Sequence, residues 1–429
     1  MKRHVPAAAL ALALAASTLA TPSQAQQRYE QPDLNASALA PKALLQGTGY
    51  TVDERVTFEN FMPRFTIRSG HGVWEARGRE MLDIRVSELS ALSQLAEVSK
   101  GDEFASALGK AAVAPVKVAG DLVTKPLDTT GKLVSGAGIM LGRVGSFVGS
   151  TAANTGDRIS GADDGRTPIA AGTPALPAGT APPRMFVGDP LGYNRARREW
   201  AQRLKIDPYT TNAPLSDKLG DVAKVSFAGT FAVDLTLGAV VAPLHYSSLA
   251  YEQGTLEAYQ VPPLDLNKRN EERLNAMGVD SARVRALIRN GYYTPTLQTM
   301  LTLTLESMGK VGGRAEVVTF ATRAISEVEA RYVNNSVVLL ANYGRSTPLA
   351  RVRAFDRFVG AQTPDGKLVV ALALDVLPWT DVVYAFANRA DLRGKDRQLL
   401  VTGTVTPLAK EQLAALGWSV QDRLAFAER

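Results

Sequence analysis

The chain has 429 residues, with 48 Lys and Arg against 42 Asp and Glu, a formal net charge of +6 and no cysteine. That length allows two or three domains with real cores. The missing thiols exclude disulfides, thiol redox chemistry and thiolate metal sites, and the mild basicity is not a nucleic-acid footprint.

Lys2, Arg3 and His4 precede the apolar run VPAAALALALAASTLA, which ends at the small residues SQA before Gln26. This is the layout of a secretory signal peptide, and it predicts cleavage after Ala25 and export to the periplasm or envelope, or secretion. The apolar run is shorter than the roughly 20 residues a bilayer span needs. Removing Lys2 and Arg3 lowers the formal charge from +6 to +4. Residues 26–45 are polar and irregular and read as a flexible arm.

From Tyr50 the pattern alternates. Val52, Val56 and Phe58, then Phe65 and Ile67, then Val73 predict short strands, with turns at Met62-Pro63 and Ser69-Gly70-His71-Gly72. From Met81 the period lengthens, and Leu82, Val86, Leu89, Leu92 and Leu95 mark an amphipathic helix. Residues 46–108 are therefore expected to form a small β-β-α unit.

Residues 109–152 divide into GKAAVAPVKVA, GDLVTKPLDTT, GKLVSGAGIML and GRVGSFVGSTA, with Gly109, Gly120, Gly131 and Gly142 in register. Eleven residues make three helical turns almost without drift. Leu122, Val123, Leu133 and Val134 would then share an apolar stripe, with Lys110, Lys117, Lys132 and Arg143 among the basic residues of the segment. An apolar stripe with basic neighbours suits a membrane surface or a protein partner. Pro115 and Pro126 would break it into short pieces. In period the segment resembles the lipid-surface helices of apolipoproteins and late-embryogenesis proteins, over residues 109–152 alone.

Residues 153–184 are rich in Pro, Gly, Ala and Thr and read as a linker. Residues 185–335 read as mostly helical, from RARREWAQRL onward, with Gly278 and Gly291 at helix ends and Thr294-Pro295 at a helix start. In residues 336–429, SVVLLANY, DRFVGAQT and KLVVALAL read as strands, the last two joined by a Pro364-Asp365-Gly366 turn. TDVVYAFANRA reads as a helix and QLLVTG as a strand. Thr406-Pro407 opens a helix ending at Gly417, and WSV returns as a strand. The expected fold class is α+β: the N-terminal β-β-α unit and glycine-rich repeat, a helical middle and a C-terminal α/β layer.

No motif for nucleophilic, phosphate-binding, dinucleotide or calcium chemistry is present. His71 and His245 lack companions at metal-ligand spacing, so no metal and no cofactor is expected. Asp234 stands in FAVDLTLGAVVA with no charged residue between Lys224 and Glu252, a candidate buried functional carboxylate that also suits a helix cap or an ion pair. Tyr246, Tyr251 and Tyr259, with Tyr292-Tyr293, could line a sugar or peptide groove or serve as packing residues. The Gly403-Thr404-Val405-Thr406 loop could hold an anion but reads better as a strand-to-helix connection.

With no catalytic constellation, the sequence favours an exported, non-enzymatic envelope protein that meets a membrane surface or an envelope protein through residues 109–152. Nucleic acid is not an expected partner. Two alternatives remain open: a periplasmic hydrolase using carboxylates within residues 185–429, and a secreted effector that inserts into membranes.

Overall fold

The computed structural model describes residues 29–31, 34–59, 61–99, 104–106, 193–227, 249–394 and 396–425. Its chain begins with two short helical turns, α1 (Ala36–Leu39) and α2 (Lys42–Leu45), and a set of short strands. These are β1 (Gln46–Gly47), β2 (Tyr50–Val52), β3 (Thr57–Glu59), β4 (Met62–Ser69) and β5 (Gly72–Arg77), paired antiparallel around β4. Residues 36–45, read from the sequence as the end of a flexible arm, are tied down instead: Ala36 and Leu44 are buried against Phe65, Ile67 and Leu82. In β4 the inward positions alternate through Pro63, Phe65 and Ile67, the period of a half-buried strand. Pro63 thus lies within the strand, and the turn falls one step earlier, at Phe61, whose φ of 67° is uncommon for an aromatic residue.

Helix α3 (Gly78–Val98) follows at once. It starts three residues before Met81 because Asp375, 296 positions along the chain, accepts a hydrogen bond from the Arg79 amide at 2.8 Å and caps the helix. One side of α3 packs on the N-terminal sheet through Leu82, Val86 and Leu89. Its C-terminal half packs through Leu92 and Leu95 on α4 (Tyr193–Arg203) and α5 (Ala213–Phe227), where Trp200, Leu204, Leu215 and Leu219 complete a core. Val225 and Ser226, at the start of the apolar run 225–244, belong to this packing: Val225 is buried and Trp200 Nε1 donates to Ser226 Oγ at 2.8 Å.

The helical middle continues with α6 (Leu249–Gln260), α7 (Pro263–Ala276), α8 (Ser281–Arg289), α9 (Pro295–Ser307) and α10 (Arg314–Ala321). Thr294 caps α9 by accepting from the Leu297 amide, as its Thr-Pro start predicts. Helix α9 is buried on nearly every side although it carries four threonines; Thr299, Thr302 and Thr304 each donate to the carbonyl four residues back, which satisfies their hydroxyls in the core.

The segment SVVLLANY is not a strand. It lies inside α11 (Glu327–Ser346), so the boundary at 335/336 falls within a helix. Val333, Val337 and Leu340 are buried at helical spacing, but Ser336, Val338 and Leu339 are buried too. A helix apolar on most faces presents a continuous run that a short window takes for a strand.

The C-terminal layer is a five-stranded mixed sheet in the order β12-β10-β8-β7-β6. Strands β8 (Leu368–Leu372), β10 (Arg397–Val401) and β12 (Trp418–Gln421) run parallel, while β6 (Arg351–Ala354) and β7 (Val359–Gln362) are antiparallel. A two-stranded parallel pair, β9 (Val376–Leu377) and β11 (Thr404–Val405), sits beside it. Helices α12 (Asp381–Ala387) and α13 (Pro407–Ala415) form part of the layer, with Trp379, Leu399 and Leu413 in its core. The expected α+β class is the observed one.

Candidate functional site

Helices α3 and α11 face each other with charged side chains, and those charges alternate. Arg85 bonds Glu88 on its own helix and reaches Glu327 of α11 at 3.3 Å. Arg331 holds Glu327 at 2.8 Å and Glu80 at 3.1 Å. The row Glu88, Arg85, Glu327, Arg331, Glu80 is nearly shut off from solvent: the Arg331 side chain is 7% exposed and that of Glu88 5%. Such a row survives burial only when every charge is matched and its remaining oxygens are hydrogen-bonded.

The segment joining α4 to α5 supplies those bonds. Lys205, in the left-handed region at φ 53°, ends α4 and turns the chain toward α3. Thr210 then donates to Glu88, Asn212 Nδ2 donates to Glu88 at 3.0 Å and Thr211 donates to Glu327. Asn335 Nδ2 donates to Glu80 at 2.6 Å. Three elements are therefore stapled together by one polar network.

Beside the network lies a cavity of about 410 Å³ lined by Ser87, Glu88, Asp207, Tyr251, Tyr259, Thr296, Glu327 and Arg331, with Ile84, Leu256 and Met300 among its apolar walls. Its size is that of a small-ligand site. Asp207 Oδ1 accepts from the Tyr209 amide at 2.8 Å and from Thr296 Oγ1 at 2.7 Å, whereas Oδ2 makes no bond among the described residues. The Ser87 hydroxyl is 1% exposed and has no hydrogen-bond partner. Unmatched polar atoms in a buried wall are uncommon, which singles out this wall.

The electrostatics divide the carboxylates. Burial raises Asp207 above the ordinary aspartate range, more than Thr296 and the Tyr209 amide lower it. Burial likewise raises Glu80 against the pull of Arg331 and Asn335. For Glu327 burial is outweighed by Arg331, Arg85 and the Thr211 hydroxyl, which together hold it at about 2. Burial also lifts the Tyr251 phenol to about 12, so it stays a neutral donor.

Of the residues singled out in the sequence, Tyr251 and Tyr259 meet on this cavity wall. Tyr293 is instead a core residue, its hydroxyl donating to the Ala330 carbonyl at 3.2 Å. His71 is exposed and bonds Ser93 Oγ at 3.0 Å. The Gly403-Thr404 amides donate to the carbonyls of Leu374 and Asp375, so they are not available to an anion. Lys110, Lys117, Leu122, Val123, Lys132, Leu133, Val134, Arg143 and Asp234 lie outside the described residues. Among the described residues no cluster of His, Asp and Glu could hold a metal ion, and no helix is long and apolar enough to cross a membrane.

Sequence reading missed Glu88, Asp207, Glu327 and Arg331. Arg85 with Glu88 and Glu327 with Arg331 sit three and four residues apart, the spacing of ordinary solvated helix pairs. The available signal was their company, since Glu88 stands between Val86 and Leu89, and Arg331 between Ala330 and Val333. Comparison of the chain with family models, with curated proteins and with solved structures finds no match.

Proposed function

We propose that the chain is an exported envelope protein, non-enzymatic, whose body holds a small neutral polyhydroxylated ligand in the Asp207 cavity. The observation that carries this reading is the pairing of an unmatched buried hydroxyl, Ser87, with a carboxyl of raised pKa, Asp207, under two tyrosines. The two network carboxylates on the cavity wall, Glu88 and Glu327, are held by Arg85 and Arg331, so the cavity offers hydrogen bonds more than net charge. The tyrosine rings suit the C–H face of a sugar. Titration calorimetry with maltose, cellobiose and diacetylchitobiose tests it. At least one should bind, and Asp207→Asn with Ser87→Ala should weaken that sugar roughly tenfold without lowering the melting temperature. Absence of heat with all three would reject the ligand class.

Contact with a membrane surface or an envelope partner through residues 109–152 belongs to the same proposal. Liposome co-sedimentation of the mature chain should fall when those residues are deleted, and equal recovery of both forms in the supernatant would remove the membrane contact.

A second reading, a hydrolase using carboxylates, draws on the separation of Asp207 from Glu327, one raised and one lowered beside a single cavity. It is the weaker reading, because the oxygens of Glu327 are already engaged by Arg331, Arg85 and Thr211. Turnover of a bound disaccharide that Asp207→Asn abolishes would favour it over binding alone.

A further inference from the structure

A second cavity, of about 720 Å³, opens between the β3–β4 turn, the start of α11 and the C-terminal layer. It shares no lining residue with the Asp207 cavity. Its walls are mostly apolar, with Phe61, Phe358, Leu374, Leu377, Val383 and Phe386 contributing. Phe358 and Phe386 meet edge to face with centroids 5.1 Å apart. At the lip Val382 is 51% exposed, an apolar residue with nothing described to cover it. Phe61 holds its place on this wall despite a positive φ, at a turn position where glycine is favoured.

Arg357 and Arg389 line the mouth of this cavity, and Arg323 shares Asp356 with Arg357. Arg389 is fully matched, bidentate to Asp391 at 2.8 and 3.0 Å, and lies over the Phe358 ring with its guanidinium carbon 5.4 Å from the centroid. Arg323 takes Asp356 at 3.3 Å and its carbonyl at 3.0 Å. Arg353 lies over Phe355 at 5.3 Å. Among the described residues, Arg357, which lines the cavity, has only the distant side of that same Asp356, at 3.7 Å. Among the other lining charges, Arg77 pairs with Glu59 at 3.3 Å, and Glu329 and Asp381 accept hydrogen bonds from the Ile325 and Val382 amides. An apolar cavity with one under-matched guanidinium at its rim is complementary to a chain that ends in an anion.

We infer that this cavity binds a free long-chain carboxylate, with the alkyl chain against Phe61, Phe358 and Phe386 and the carboxylate on Arg357. Burial of the chain supplies affinity, and the charge-assisted bond to Arg357 supplies preference for an acid over a neutral amphiphile of equal length.

The test uses the full mature chain and 11-(dansylamino)undecanoic acid, with dodecanoic acid and dodecanol as competitors. The probe should bind with blue-shifted emission, and the acid should displace it roughly tenfold more tightly than the alcohol. Arg357→Gln, at a half-buried position, should erase that preference while leaving the alcohol unchanged. Val382→Glu, at an exposed position, should weaken both competitors; melting temperatures equal to wild type show that both variants fold. Equal competition by acid and alcohol, or an unchanged preference in Arg357→Gln, would overturn the assignment. So would a wild-type dimer that Val382→Glu dissociates while the probe never binds, because the occupant would then be a second copy of the chain.

Discussion

Replacing Arg331 by leucine is expected to destabilise the protein by about 3–5 kcal/mol, because it leaves buried charge without compensation. Arg331 is the only residue of the row bonded to both Glu327 and Glu80, and its side chain is 7% exposed. Its loss exposes Glu327 to the burial that Arg331 does most to offset. Two carboxylates then face each other with Arg85 alone to balance Glu327, and Asn335 alone to bond Glu80. Urea denaturation at neutral pH measures the loss. A change below about 1 kcal/mol, the range of exposed ion pairs, would show that the network is open to water. The triple variant Arg331→Leu, Glu327→Leu, Glu80→Met should recover much of the stability, since a well-packed apolar replacement of a buried ionic group is often neutral.

Acid should unfold the protein through Glu327. Its pKa falls from 4.5 in the unfolded chain to about 2 in the folded one. The folded state thus resists protonation, and Glu327 contributes stability that is present above pH 4.5 and lost as pH falls toward 2. The shift corresponds to on the order of 3 kcal/mol. Asp207 and Glu80 act in the opposite sense. Their raised folded-state pKa means that stability is greatest while they are protonated and declines as pH rises through their folded-state values. The urea midpoint should therefore drop steeply below pH 4.5 as Glu327 is protonated, with Asp207 and Glu80 opposing the fall. In Glu327→Gln the protein should be weaker at pH 7, and the steep acid limb should flatten. A wild-type acid limb preserved in that variant would assign acid unfolding to other carboxylates.

Local chemistry made much of the fold legible. Alternation at Phe65 and Ile67 marked β4, and the 3.6-residue recurrence from Leu82 to Leu95 marked α3, because each pattern reports one face meeting the core. Thr294-Pro295 and Thr406-Pro407 located helix starts, since a cap is made by atoms within three residues of it. Gly366 and Gly417, both with positive φ, marked a turn and a helix end for the same reason.

What the folded chain alone decided has a different physical origin, in contacts between residues far apart in sequence. The start of α3 depends on Asp375, 296 positions from the Arg79 amide that it caps. Glu88, Arg85, Glu327 and Arg331 carry the spacing of surface pairs, and only the packing of α3 on α11 removes water from them and divides their proton affinities. The helix containing SVVLLANY is apolar on most sides because it is covered from most sides, which erases the periodicity that a partly exposed helix displays. Tyr251 and Tyr259 were visible as candidates, but the groups that turn them into a site, Ser87 and Asp207, come from elements that meet them only in three dimensions. A local pattern reports which side of an element meets the core, whereas a buried site is made where several such sides converge.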